Sequence, residues 1–382
     1  MREERETENK KELVVWHEFD GPGDTSIEVL EEICRLYSER YGVHIISEVM
    51  SIQELGDRLV DIEHTGKGPH MAFVPADMVV FKDRALLSEA PVELFASELG
   101  ENMRLSMTME GTAYGVPILT GNHLVLYYNK DIYAQPPASW EEIEQLSESL
   151  KQRGIKPIGG DMSQSYWFMP FFTAFGGWPL KDGKADLVNE SMRDALQFVK
   201  SRIEQGVLAN LDGPTALLEQ FIAGELGAII CGEWIFNYLD RNLGQKLGVA
   251  KLPDIGGKPS VPFHSSIGLI YPNDSLESED RESILSFTQF MLSEECQMKW
   301  AELVQRIPSN GNVQRNLLAQ GSPNKQAILS LLDHSRTMPI HPNMIAIWAS
   351  IGAGLDVLQK GQAESAYDAI VQREEMIINA VK

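Results

Sequence analysis

The stretch FIAGELGAIICGEWIFNY, residues 221–238, decides how the chain is read. A helix stops at Gly224, and "LGAII" is a short apolar run suited to a strand buried on both faces. "CGEW" then turns the chain so that Trp234 stands just past the strand's end. A large aromatic at that mouth calls for something flat and partly apolar to cover it.

The same alternation runs outward in both directions. "ELVVWHEF" (12–19) reads as a strand, and "DGPGDTS" (20–26) as a loop. The segment beginning at Ser26 then places Ile27, Leu30, Ile33, Leu36 and Tyr37 at helical spacing, with Gly42 as the stop. "VHIISEVM" (43–50) follows, and a strand, helix and strand in succession predict a parallel pair. Next come a helix over 51–66, the strand "HMAFVP" (70–75), a short helical stretch over 76–87 and a hairpin-like segment over 109–133. Ser139 with Glu142 forms a capping box for a helix ending at Gly154, and "IKPIGG" (155–160) leads into the aromatic-rich "SYWFMPFFTAFGGW" (165–178). Helices over about 190–206 and 214–224 lead to the opening stretch, and the chain beyond 274 is mostly helical. The expected fold class is α/β, with parallel sheets covered on both faces.

With 382 residues the chain has room for two or three domains. No Pro/Gly/Ser linker divides it, so the domains are expected to be joined by strand-like crossings at 116–131 and 259–274. The chain carries 33 Lys plus Arg against 55 Asp plus Glu, a net charge of -22 that disfavours nucleic acid and polyanionic ligands and favours a neutral or cationic small molecule. Cys34, Cys231 and Cys296 are too far apart for a CxxC pair and read as buried thiols. The charged lead over 1–12 lacks the apolar core of a signal peptide. Either the protein is cytoplasmic, or a signal or lipoprotein leader preceded the chain and was removed.

Five segments in order resemble the extracytoplasmic sugar-binding proteins of ABC transporters, the family that includes the maltodextrin-binding protein. They are "YGVPILTGNHLVLYYNKDIYAQPPASWEEI" (114–143), the aromatic-rich segment, "FIAGELGAIICGEW" (221–234), "GVAKLPDIGGKPS" (248–260) and "MPIHPNMIAIW" (338–348), and the likeness runs from about Glu12 to the C-terminus. The resemblance implies a periplasmic-binding-protein fold of two lobes with a ligand cleft between them and several interlobe crossings. The expected lobes are residues 12–119 with 269–318, and 120–268 with 319–382. It further implies a monomeric carrier, periplasmic or extracellular and membrane-associated, that closes on an oligosaccharide and hands it to ABC permease subunits without a cofactor or catalysis.

Carried over position by position, the resemblance makes Trp234, Trp348 and Tyr166 a stacking platform, with Trp167 beside them. Pyranose C–H patches pack on such rings, while hydroxyls need directed polar partners. Glu18 and Asp20 at the end of the first strand, His17 beside them and Asp77 after the third strand are the acceptors. Asn122 stands where the family has a glutamate, and Gln164 where it has an acidic residue. Val74 and Met78 replace an aromatic and a basic residue of the maltodextrin binder, which points away from maltodextrin itself. Trp16 and Trp140 read as core and anchor, and His264 and Ser265 as hinge packing.

Two rival readings use the same residues. The carboxylates Glu18, Asp20 and Asp77 could flank a glycosidic bond in a hydrolase. A polyol or sugar phosphate could replace the sugar, but a phosphate needs clustered Arg or Lys, and only Arg336 is expected near the cleft. No metal site is expected: "HEFDG" puts Gly21 where HExxH has its second histidine, "DGPGDTS" lacks the oxygen ligands of a calcium loop, and the histidines make no pair at metal spacing.

Overall fold

The structure is a computed structural model that describes residues 11–95, 99, 101–211 and 213–380; the lead over 1–10 lies outside the described residues. Two sheets organise the chain into two α/β lobes. The first runs in the order Ile307–Pro308, Gly115–Gly121, Phe263–Ile270, Met71–Pro75, Glu12–His17, His44–Val49. The second runs Leu208–Asn210, Lys156–Gly160, Leu226–Gly232, Leu124–Asn129, Leu247–Ala250.

Glu12–His17 pairs in parallel with both His44–Val49 and Met71–Pro75, as the strand-helix-strand pattern requires. The helix between the first two strands, Ser26–Tyr41, buries Leu30, Ile33 and Tyr37 of the expected stripe, with Ile27 and Leu36 partly buried against the same core. It stops at Gly42, whose φ of 72° lets its N–H close on Ser38 O. The helix Trp140–Gln152 starts on Ser139, which accepts from the Glu142 N–H. The Glu142 carboxylate reaches back to the Ala138 N–H rather than to Ser139 itself. Trp140 is buried against Phe171 and Phe198, the anchor role read from its position, and Trp16 is likewise core.

The sheets are mixed, which corrects the expectation of parallel ones. Phe263–Ile270 is antiparallel to both Met71–Pro75 and Gly115–Gly121. Leu124–Asn129 is antiparallel to both Leu226–Gly232 and Leu247–Ala250. The cause is topological: a strand that enters a sheet from the other lobe runs away from the cleft, whereas strands of strand-helix-strand units run toward it. The segment that looked like a hairpin is such a passage. Gly115–Gly121 lies in the first sheet and Leu124–Asn129 in the second, with only Asn122 and His123 between them. The expected lobe limits at 119/120 and 268/269 fall inside paired strands of the first sheet, and the limit at 318/319 falls inside the helix Gly311–Gln320.

Cys34, Cys231 and Cys296 are free and buried, as read. Among the described residues no helix is long and apolar enough to cross a membrane.

The strand pair at the crossing predicts a stability difference between two glycines. A Cβ on Gly268 would lie 2.2 Å from the Val116 carbonyl oxygen, a backbone collision at a register shift, whereas a Cβ on Gly21 would meet nothing within 4 Å. Gly268→Ala is expected to cost about 2 to 4 kcal/mol in denaturant unfolding and Gly21→Ala less than about 0.5 kcal/mol. Equal losses would place the close contact elsewhere.

Candidate functional site

Strand ends from the two sheets face one cleft. Its cavity of about 300 Å³ is lined by Glu18, Asp20 and Asp24 after the first strand, Asn122 at the crossing, Asp161, Gln164, Tyr166 and Trp167 after Lys156–Gly160, Trp234 after Leu226–Gly232, and Arg306. Seven of the ten residues singled out from sequence thus meet on one surface: Glu18, Asp20, Asn122, Gln164, Tyr166, Trp167 and Trp234. A second cavity of about 330 Å³, against Leu124, Leu252, Pro262 and Arg336, holds none of the ten. Size alone does not separate the two cavities; the convergence of strand ends does.

Trp234 answers the question its sequence position raises. It sits in a single 3₁₀ turn, Glu233–Ile235, and its ring folds back over Gly232, where an added Cβ would lie 2.0 Å from Cζ3. The glycine of "CGEW" is therefore the floor on which the indole rests. Trp167 meets that ring edge-on, with centroids 5.7 Å apart and planes at 85°, and is fixed by its Nε1–H, which donates to Ile230 O at 3.1 Å.

Tyr166 donates its hydroxyl to Asn122 O and, at 3.3 Å, to Phe263 O. Burial beside Asp77 and Glu233 keeps its phenol well above the usual range. Asn122 takes a left-handed φ of 50°, which turns its carbonyl toward Tyr166 and its N–H toward Glu233 Oε1 at 3.2 Å.

Three candidates lie outside that cavity lining. Trp348 packs against Tyr166 at 6.1 Å and lies near enough to Asp77 to favour its charged form. Burial raises the Asp77 pKa, while its own backbone N–H and Trp348 oppose the shift. His17 is buried behind the strand end, its Nδ1 accepts from the Phe19 N–H at 3.3 Å, and burial lowers its pKa to about 4, so it is neutral. His264 bonds Ser335 at 2.8 Å and Thr337 at 3.0 Å, the packing role read for it.

Glu18 has its pKa raised to about 8, chiefly by burial and next by Asp24, against the opposing charge of Arg306. Near neutral pH its carboxyl holds its proton, so it offers both a donor and an acceptor. Arg306 also corrects the expectation that Arg336 is the cleft's basic residue. Arg336 instead stacks its guanidinium 3.6 Å over Trp178 and lines the other cavity. Sequence reading missed Asp24, Asp161 and Arg306, along with Glu233, which lies directly behind the lining. Only Glu233 carried a signal, as the middle residue of the Gly-x-Trp turn.

The sequence pattern of bacterial extracellular solute-binding proteins matches residues 32–327. The maltooligosaccharide ABC transporter solute-binding lipoprotein of Streptococcus pneumoniae (strain ATCC BAA-255 / R6) is 23% identical over 91% of this chain and 86% of its own length. The maltotriose-binding protein of Pyrococcus abyssi is 21% identical over 96% and 82%. The maltodextrin-binding protein MdxE of Bacillus subtilis is 23% identical over 65% of this chain, and this chain spans 62% of its length. Among solved structures, the maltose/maltodextrin-binding domain MalE from Bdellovibrio bacteriovorus, bound to maltotriose, superposes with a TM-score of 0.86. It shares 22% identity, and the match covers 96% of this chain and all of that one.

The Glu18 shift predicts a pH dependence of stability. A carboxyl whose folded pKa lies above its ordinary value of 4.5 binds its proton more tightly in the folded state. Its contribution is complete below 4.5 and is lost as pH rises to about 8. Between pH 5 and 8 the unfolding free energy of Glu18→Gln is expected to fall less steeply than that of the unaltered protein. Parallel slopes for the two would show that Glu18 ionises in the ordinary range.

Proposed function

The chain belongs to the bacterial extracellular solute-binding proteins, its family match covering most of its length, and from that premise we propose that it captures a neutral oligosaccharide or disaccharide in the interlobe cleft and delivers it to the permease of an ABC importer. One observation supports this most: Trp234 and Trp167, braced edge to face, share a cavity with Glu18, Asp20, Asn122 and Gln164. An indole face suits the C–H patch of a pyranose, and the acids and amides around it suit hydroxyls. Tyr166 and Trp348, in ring contact, extend the same wall with Asp77 nearby, and His17 supports it from behind as a neutral ring. The relatives named for maltooligosaccharide and maltotriose binding make an α-glucan the first ligand to try.

The proposal carries a division into lobes with limits near 119/120, 268/269 and 318/319, moved to the ends of the strands and helix that those positions would cut, together with action as a monomer and an extracellular site of work, periplasmic or membrane-associated. A sugar phosphate fits less well. Arg306, the basic residue of the lining, already faces Glu233 at 3.2 Å and Asp24 at 3.7 Å, so no free positive charge meets a phosphate there.

Binding is tested by thermal unfolding of the protein with maltotriose and a panel of other neutral oligosaccharides, each recovered afterwards. A sugar at about a thousand times its Kd adds about 4 kcal/mol and raises Tm by several degrees. A shift with the sugar recovered intact is the expected result. No shift with any neutral sugar, or a sugar returned cleaved, overturns the proposal. In the same assay Trp234→Ala is expected to lose about 2 to 4 kcal/mol of binding while the fold persists.

A further inference from the structure

Glu233 immediately precedes Trp234, and its side chain is fully buried against the side chain of Arg306, itself 1% exposed. Glu233 Oε1 lies 3.2 Å from Arg306 Nε and also accepts the Asn122 N–H at the crossing between the two sheets. On its other side Arg306 turns to the acidic loop of the first lobe. Nη1 donates to Ser26 Oγ at 2.7 Å and lies 3.7 Å from Asp24 Oδ2. The backbone at Arg306 is held as well, because the buried Lys325 ammonium donates to the carbonyls of Gln305 and, at 3.3 Å, of Arg306, and Gln305 is locked at a φ of 57°.

One guanidinium therefore ties the loop carrying Glu18 and Asp20 to the turn carrying Trp234. We propose that Arg306 is a positioning residue of the cleft: acting through Glu233, it sets the Trp234 ring against the acidic loop of the opposite lobe and thereby sets ligand affinity.

Two features give the arrangement this role rather than that of an inert core pair. The tie joins groups from both lobes at the cleft floor, so a change in its length moves the walls relative to each other. In addition, Arg306 Nε and Nη2 and Glu233 Oε2 are buried without a hydrogen-bond partner. A buried pair with unmet groups adds little stability as an inert core contact, so its place here is explained by how it holds the loop and the turn on either side of it. A Cβ on Gly121 would come within 3.2 Å of Glu233 Oε1, so the crossing strand leaves this carboxylate room on that side by carrying no side chain.

The inference rests on the sugar-binding reading for its affinity arm but has a second arm that needs no ligand. The protein is labelled with 5-fluorotryptophan, and the Trp234 resonance is assigned by its loss in Trp234→Phe. Glu233→Gln, Arg306→Lys and the double variant Arg306→Met/Glu233→Gln are then compared with the unaltered protein. The double variant removes both buried charges together, so neither is stranded.

All three are expected to shift the Trp234 resonance while that of Trp140, in the second lobe's core, stays in place. Maltotriose affinity should fall about tenfold in each, with the double variant no weaker than Glu233→Gln alone, as for two residues acting as one unit. A Trp234 resonance unmoved in Glu233→Gln and Arg306→Lys overturns the proposal. So does a Trp140 resonance that moves equally, or losses that multiply in the double variant. If the unaltered protein binds no maltooligosaccharide, it is the sugar reading that fails, and the resonance arm decides the positioning role by itself.

Discussion

A strand that leaves one sheet for the other must run toward the cleft in the first and away from it in the second, and much of this structure follows from that constraint. It explains why both sheets are mixed. It also explains why Gly115–Gly121 and Leu124–Asn129, separated by two residues, never pair. Because strands that reach the cleft end there, loops from both sheets converge on it. The first strand delivers Glu18 and Asp20, Lys156–Gly160 delivers Gln164 and Tyr166, and Leu226–Gly232 delivers Trp234. The crossing adds Asn122, whose carbonyl and N–H join Tyr166 to Glu233. The site is thus assembled from strand termini on rigid sheets, an arrangement that places side chains more accurately than free loops do.

Most of the architecture was legible because it rests on periodicity and punctuation. Apolar spacing with Gly42 gave the first helix, Ser139 with Glu142 gave a helix start, and the run before "CGEW" gave a buried strand. Strand direction was not legible, because a buried run of apolar residues reads the same whether its neighbours are parallel or antiparallel. Site residues divided along a similar line. Trp234, Tyr166, Glu18 and Asp20 lie next to strand or helix ends that the pattern locates, and they meet in the cleft. Asp77 and Trp348 carry no mark in the sequence showing that they come near each other outside the cavity lining. Arg306 was the hardest to see. Its role depends on Ser26, Asp24 and Glu233, which lie far away in sequence, and a lone arginine in "VQRIPSN" looks like any surface charge.

The electrostatics of the cleft follow from burial more than from the net charge of -22. With Glu18, Asp20, Asp24, Asp161 and Asp77 close to one floor, an array of ionised carboxylates would repel itself. Two devices relieve this. Glu18 keeps its proton near neutral pH, and Arg306 sits between Asp24 and Glu233. The polar lining of the cavity is then a mixture of a neutral carboxyl, an exposed Asp20, Asp161 with its carboxylate accepting from Ser163, and the amides of Asn122 and Gln164. Such a lining provides donors and acceptors with little free positive charge, which suits hydroxyls and not phosphates.

The aromatic wall and the charged tie behind it also answer to each other. An indole supplies stacking energy only if the plane of its ring is fixed, since a ring free to rotate pays back part of the gain in ordering entropy when the ligand arrives. Gly232 beneath Trp234, Trp167 at its edge and Glu233 at its own backbone together remove that freedom before any ligand binds. The cost is a buried ion pair with unmet hydrogen-bonding groups, which on its own adds little to stability. Its retention beside the ring is intelligible if the pair's service is geometric: it gives the wall of one lobe a fixed height above the acids of the other.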